Sequence, residues 1–201
     1  VVSDYGATLV KLFVPDREGN VADVVLGHDS PEDYRRCALF FGATVGRSGN
    51  RIAGASFDLN GQTWNLTPNE NRHNLHSGPD FYHDRVWKVL SYTESAITFE
   101  LFSPHGDQGF PGNATIQVTY SLDSHGSLKI TYDGICDRDT VFNLTNHSYF
   151  NLAGHHKVDA AMAQLLSIPG RFFNADDAES IPTGELRKVA GSPMDFRSPK
   201  P

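Results

Sequence analysis

Residues 143–154 read Asn-Leu-Thr-Asn-His-Ser-Tyr-Phe-Asn-Leu-Ala-Gly, which puts an imidazole, carboxamides, hydroxyls and aromatic rings into one strand-like segment. In an extended strand alternate side chains share a face. Asn143, Thr145, His147, Tyr149 and Asn151 then form one row, and Leu144, Asn146, Ser148, Phe150 and Leu152 form the other. The polar row is not a core face, because each buried donor or acceptor left unpaired costs about 1–3 kcal/mol. Two readings fit it: a solvated strand face, or a surface whose partners come from a hydroxyl-rich ligand.

Three further segments bear on that choice. One is Gly42-Ala-Thr-Val-Gly-Arg-Ser-Gly-Asn-Arg-Ile52, the second is Asn69-Glu-Asn-Arg-His-Asn-Leu-His-Ser-Gly78, and the third is Ile181-Pro-Thr-Gly184 followed by Ser192-Pro-Met-Asp-Phe-Arg197. At these positions, and at Ser103-Pro-His-Gly-Asp-Gln-Gly-Phe-Pro-Gly112, the chain resembles the aldose 1-epimerase (galactose mutarotase) family. The resemblance covers nearly the whole chain, with several motifs in order. It implies a large antiparallel β-sandwich with a sugar site in an open concave face, acting on free hexoses such as galactose and glucose. By its motifs His147 matches the general acid, and His76 a second histidine that contacts sugar hydroxyls and the ring-oxygen region. Asn50 and Arg51 match donors to sugar oxygens, Asp195 matches an acceptor from hydroxyls, and Tyr149 is a further candidate contact. Trp64, Trp87 and Phe150 are also able to stack on a pyranose, although most aromatics in a sandwich are core.

Two small departures stand out: Gly49 occupies a position where alanine is usual, and Ser77 one where glycine usually follows the histidine. The resemblance also implies a single mutarotase-like domain over residues 1–201 that is incomplete. The family continues well past the aspartate matched by Asp195, and its general-base glutamate is expected beyond Pro201. The N-terminal end enters directly on an early strand, so truncation at both ends is expected.

Interconverting α and β hemiacetals requires one group to protonate the ring oxygen and another to take the proton from the anomeric hydroxyl. A histidine and a carboxylate suffice, so no cofactor is expected. The sequence carries no P-loop, dinucleotide fingerprint or CxxC pair. Arg47, Arg51 and Arg72 keep a hexose-6-phosphate epimerase open as an alternative, although Arg47 alone reads as structural. A sugar-binding protein with the same fold and no turnover is a further reading. His73, His76 and His83, with His155 and His156, suggest a zinc cluster, but no cysteine or carboxylate completes a ligand spacing, and no metal is expected.

The elements that must position these residues follow a period of two. Ala96–Phe102, Ala114–Leu122 and Ser127–Tyr132 alternate apolar and polar side chains, as half-buried antiparallel strands do. Asn60-Gly61 between two strand-like runs is a hairpin signal, and Asp123-Ser-His-Gly126 turns one strand into the next. Only Pro31–Tyr34 suggests a turn of helix, so the class is all-β. The Pro-rich tail from Ser192 reads as a loop.

With 201 residues, 39% hydrophobic, the chain is sized for one core. A net charge of −7 with scattered basic residues argues against nucleic acid or an anionic membrane as partner, leaving a small-molecule sugar, with oligomeric state open. No apolar run approaches the roughly 18 residues of a membrane span. The two cysteines, Cys37 and Cys136, fit a reduced, cytoplasmic protein, with one disulfide as the alternative.

Overall fold

The computed structural model describes residues 1–36 and 39–201. Cys37 lies outside them; Cys136 is half-buried, its Sγ 3.8 Å from the Pro111 carbonyl. The chain divides into two compact units, Val1–Lys11 with Leu26–Tyr149, and Leu12–Val25 with Phe150–Pro201.

The first unit is organised by a four-stranded antiparallel sheet of Lys88–Tyr92, Ala96–Ser103, Ala114–Leu122 and Leu128–Cys136, in that order. The alternation read from the sequence is the cause. In the central strand Ala114, Ile116, Val118 and Tyr120 are buried while Thr115, Gln117 and Thr119 are not. Phe99 and Leu101 join the buried face from the neighbouring strand, and Thr98 and Thr119 bond across the other face at 2.9 Å.

The turns fall where their residues demand them. Ser56–Leu59 and Gln62–Asn65 are joined by Asn60-Gly61, both left-handed (φ 53° and 75°), which suits the twist of a two-residue hairpin. Asp123 Oδ1 accepts the amides of His125 and Ser127 and closes the turn between the two longest strands. Helix Pro31–Arg36 is one short element, with Pro31 at its start and the Ser30 hydroxyl accepting the Asp33 amide. No helix among the described residues is long and apolar enough to cross a membrane.

The second unit is built on two hairpins, Phe13–Pro15 with Val21–Asp23 and Phe172–Asp176 with Pro182–Lys188. Its Pro-rich tail is more than a loop: Lys200 and Leu166 exchange both backbone bonds, at 2.9 and 3.2 Å.

The segment 143–154 departs from the uniform strand read in it. Only Thr145–Asn146 is regular strand, paired with Thr44–Val45. The reason is hydrogen bonding that breaks the two-row pattern. Asn146 turns its Nδ2 to the Gly42 carbonyl (2.8 Å) and the Tyr120 hydroxyl (3.1 Å), while its Oδ1 accepts the Ser148 amide. Asn151, in the second unit, is buried and bonded to Lys157 O and the Ala153 amide, so it is a structural cap and not part of a ligand-facing row.

Arg47 bears out its structural reading. It is 0% exposed, and its guanidinium donates to the carbonyls of Pro111 (2.7 Å) and Ser103 (3.3 Å), to Ser103 Oγ (2.7 Å) and to Thr140 Oγ1 (3.0 Å). Replacing Arg47 by Met should lower the unfolding free energy by about 3–5 kcal/mol in a urea titration, since the acceptors stay buried without their donor. A loss below about 1 kcal/mol would show that the acceptors are rehoused.

Candidate active site

The site is assembled by backbone pairing between segments distant in sequence. Thr44–Val45 pairs with Thr145–Asn146, Gly49 donates to Asn143 O (2.7 Å), and Arg51–Ile52 pairs with Asn74–Leu75. The turn at 40–43 is tied to His147 from both sides: Gly42 donates to His147 O (3.2 Å) and His147 donates to Ala43 O (2.9 Å). Gly42 has to be glycine here, because with φ 67° a Cβ would stand 2.0 Å from the Leu9 carbonyl oxygen.

These pairings open a cleft of about 520 Å³ whose lining includes Asn50, His76, Asn143, Thr145, His147 and Tyr149. That size suits a small ligand, and polar groups make up much of the wall. The His76 and His147 rings stand edge to face with centroids 5.3 Å apart, and Tyr149 lies 5.2 Å from His147. Tyr149 is 42% exposed, whereas Trp87 is core and donates its Nε1 to Tyr82 O, and Trp64 packs edge-on against His105.

Asn50 and His76 exchange two bonds. Asn50 O accepts the His76 amide (3.0 Å), and His76 Nδ1 accepts the Asn50 amide (2.9 Å). An imidazole nitrogen that accepts a backbone N–H carries no proton, so neutral His76 is protonated at Nε2. Burial, followed by repulsion from His147, Arg51 and His83, pulls His76 down to about 4, with Glu70 opposing. His76 is therefore a neutral hydrogen-bond donor at pH 7.

Arg51 stands beside the cleft and not in its lining. Its Nε and Nη2 form a fork with the Glu70 carboxylate (2.5 and 2.7 Å), and Nη1 donates to Asn50 Oδ1 (3.3 Å). That bond leaves the Asn50 amide nitrogen as the group able to donate outward. The structure thus brings Asn50, His76, His147 and Tyr149 together with Arg51 behind them. Asp195 belongs to the second unit, where Arg197 holds both its oxygens (2.8 and 2.7 Å) and lowers its carboxyl to about 2.

The arginine trio suggested for a phosphate loses Arg47 to the interior. Of the histidines considered for zinc, His73 Nδ1 accepts the Gly54 amide, and no group of three or more potential ligands stands together among the described residues. Sequence reasoning missed Phe40, Phe81 and the packing role of His83. Phe40 packs on His76 and His147, Phe81 and His83 pack on Phe40, and nothing in their local sequence marks them.

The aldose 1-epimerase family model matches residues 1–201. The chain is 40% identical to an aldose 1-epimerase of Haemophilus influenzae and 38% identical to a galactose mutarotase of Bos taurus, in each case over 98% of this chain and 57% of the relative. Among solved structures, a GalM/aldose epimerase homologue from C. elegans matches with a TM-score of 0.91 at 36% identity, covering 98% of this chain and 60% of that one. A galactose 1-epimerase from Lactobacillus acidophilus matches with a TM-score of 0.83 at 29% identity, covering 98% and 57%. The all-β class expected from the sequence is therefore the galactose mutarotase fold, and the chain spans somewhat over half the length of these relatives.

The depressed His76 also predicts a pH dependence of stability. Its folded pKa lies below the unfolded value near 6.5, so its contribution is full above about 6.5 and is lost as pH falls toward 4. Discounted for a half-exposed ring, the loss is about 1–2 kcal/mol. Urea titrations at pH 7 and 4.5 should show that His76→Gln shrinks the wild-type difference by that amount; an unchanged difference would place the titration elsewhere.

Proposed function

Because the chain belongs to the aldose 1-epimerase family, we propose that the protein interconverts the α and β anomers of free hexoses such as galactose and glucose by acid–base ring opening and closure. The observation that carries this reading is the His76–His147 pair, 5.3 Å apart on one open cleft, with one imidazole held neutral and the other beside it.

In this mechanism His147 gives its proton to the ring oxygen while a base takes the proton of the anomeric hydroxyl. The bond between C1 and the ring oxygen breaks and leaves an aldehyde. Rotation about C1–C2 turns the other face of the carbonyl toward the hydroxyl; on closure the hydroxyl oxygen bonds to C1 and gives its proton back to His147, while the base returns its proton to the former carbonyl oxygen. His76 Nε2–H and the Asn50 amide donate to sugar oxygens throughout, with Arg51 orienting Asn50, and Tyr149 contacts the sugar. Asp195 is assigned as an acceptor for hydroxyls. The resemblance to the family assigns the base to a glutamate outside these 201 residues, and the described residues lining the cleft include no carboxylate. A cytoplasmic setting goes with free hexoses as substrates and with the two-cysteine content.

The test is the decay of optical rotation of fresh α-galactose with the intact protein. Wild type should accelerate it, and His147→Ala should lower kcat by about 100- to 10,000-fold. Arg51→Ala should raise KM as well, because the donors it orients hold the ground state too. Sugar binding without acceleration by wild type would make the protein a binder, and near-normal turnover in His147→Ala would remove that residue from the acid role.

A further inference from the structure

Phe40 is not among the residues lining the cleft, yet it touches both of its histidines. Its ring stacks on His147 (5.6 Å, 25°) and meets His76 (4.9 Å), Phe81 (5.2 Å) and His83 (4.4 Å) edge to face. Phe40 also lines a small, partly open pocket of about 10 Å³, together with Tyr5, Thr8, His28, Phe41 and His83. A pocket of that size holds about one water. Tyr5, Thr8, His28 and Tyr34 in turn line a larger pocket of about 220 Å³. Phe40 therefore packs on the two histidines of the cleft and also lines part of a second set of pockets.

Its backbone is held for the purpose. Phe40 has φ 56°, a left-handed conformation that a bulky residue rarely adopts without surrounding constraint. The constraint is the Ala43 amide bonded to Phe40 O (3.0 Å), together with the two bonds that tie Gly42 and Ala43 to the His147 backbone.

We propose that Phe40 is a positioning residue for the epimerase chemistry: a partition that fixes the mutual orientation of the His76 and His147 imidazoles and keeps water in the neighbouring pockets from reaching them. The proposal rests on the epimerase reading of the cleft. Burial is the largest cause of the low proton affinity of His76, and Phe40 is a ring lying directly against that imidazole. The charged and titratable groups acting on His76 are His147, Arg51 and His83, which oppose a proton, and Glu70, which favours one. His83 is held low in the same way, by burial first, with Asp84 opposing and His147 reinforcing. Without the partition, water would reach the His76 and His147 imidazoles, and both would lose the surface they pack on.

The experiment is imidazole NMR titration and polarimetry on the intact protein as wild type, Phe40→Leu and Phe40→Ala. In Phe40→Ala the His76 titration should move from about 4 toward the ordinary value near 6.5, and kcat should fall by about 10- to 100-fold with KM changed less than about twofold. Phe40→Leu, which keeps an apolar plug, should fall between, and it supplies the readings if Phe40→Ala does not fold. A His76 titration unmoved in both variants would overturn the partition, as would a KM that rises with kcat intact, since that marks a substrate contact. The NMR arm needs no turnover, so it judges the partition even where polarimetry rejects the epimerase reading.

Discussion

A guanidinium with no exposed surface needs buried acceptors, and the two terminal nitrogens of Arg47 draw them from stretches of chain that are otherwise far apart: Ser103, the Pro111 and Gly112 carbonyls, and Thr140; its Nε meets none among the described residues. Its charge is answered through Ser103, whose hydroxyl donates to Asp107 at 2.5 Å, and Asp107 in turn takes the fork of Arg85 (2.7 and 2.8 Å). Burial alone would push the Asp107 carboxyl up; the bonds from Arg85 and Ser103 and the nearby guanidiniums win, and it stays below the ordinary carboxylate range. The turn that presents Asn50 and Arg51 follows directly on Arg47. Its position is set by a bonded interior cation and not by the surface, because unpairing such a cation is far more costly than breaking a surface pair.

From that anchor the cleft is built with little regular structure. Asn50, His76 and Ser77 all have left-handed backbones (φ 61°, 55° and 62°), and each such residue costs of order 1–3 kcal/mol unless its surroundings enforce it. The enforcement here is mutual, through the exchanged Asn50–His76 bonds. The same contact that absorbs the strain selects the His76 tautomer, so the geometry of the loops and the protonation state of the ring have one cause.

What the sequence made legible follows the range of the interaction behind it. The strands over 96–103, 114–122 and 128–136, and the turns at Asn60-Gly61 and Asp123–Gly126, depend on period and on neighbouring residues, and they could be read directly. His147 stood out in a segment of unusual polar density, whereas His76 and Asn50 were legible as site candidates only through the resemblance of their motifs to the family. The uniform strand over 143–154 failed because Asn146 and Asn151 bond to groups that no local pattern reveals. Phe40 was invisible for a related reason: as one of two adjacent phenylalanines before a glycine it looks like core, and only the fold sets it against His76 and His147.

Gly49 and Ser77, where the resemblance implies alanine and glycine, both bear on the 47–50 turn. A Cβ at Gly49 would stand 3.0 Å from Thr145 Cγ2 and 3.4 Å from Asn143 O, closer than side chains ordinarily pack, so glycine lets the 47–50 turn press against the strand that leads to His147. Ser77 works from the opposite side. A glycine would adopt its backbone without strain, but the serine hydroxyl accepts the Ser48 amide (2.8 Å) and donates to Ser48 O (2.9 Å), both buried. Those two bonds offset the conformational cost and rivet the His76 turn to the turn that bears Asn50. The tighter approach allowed by Gly49 and the clamp supplied by Ser77 therefore act together. In this chain the spacing between His76 and Asn50 is held by side-chain chemistry where glycine would have relied on backbone freedom alone.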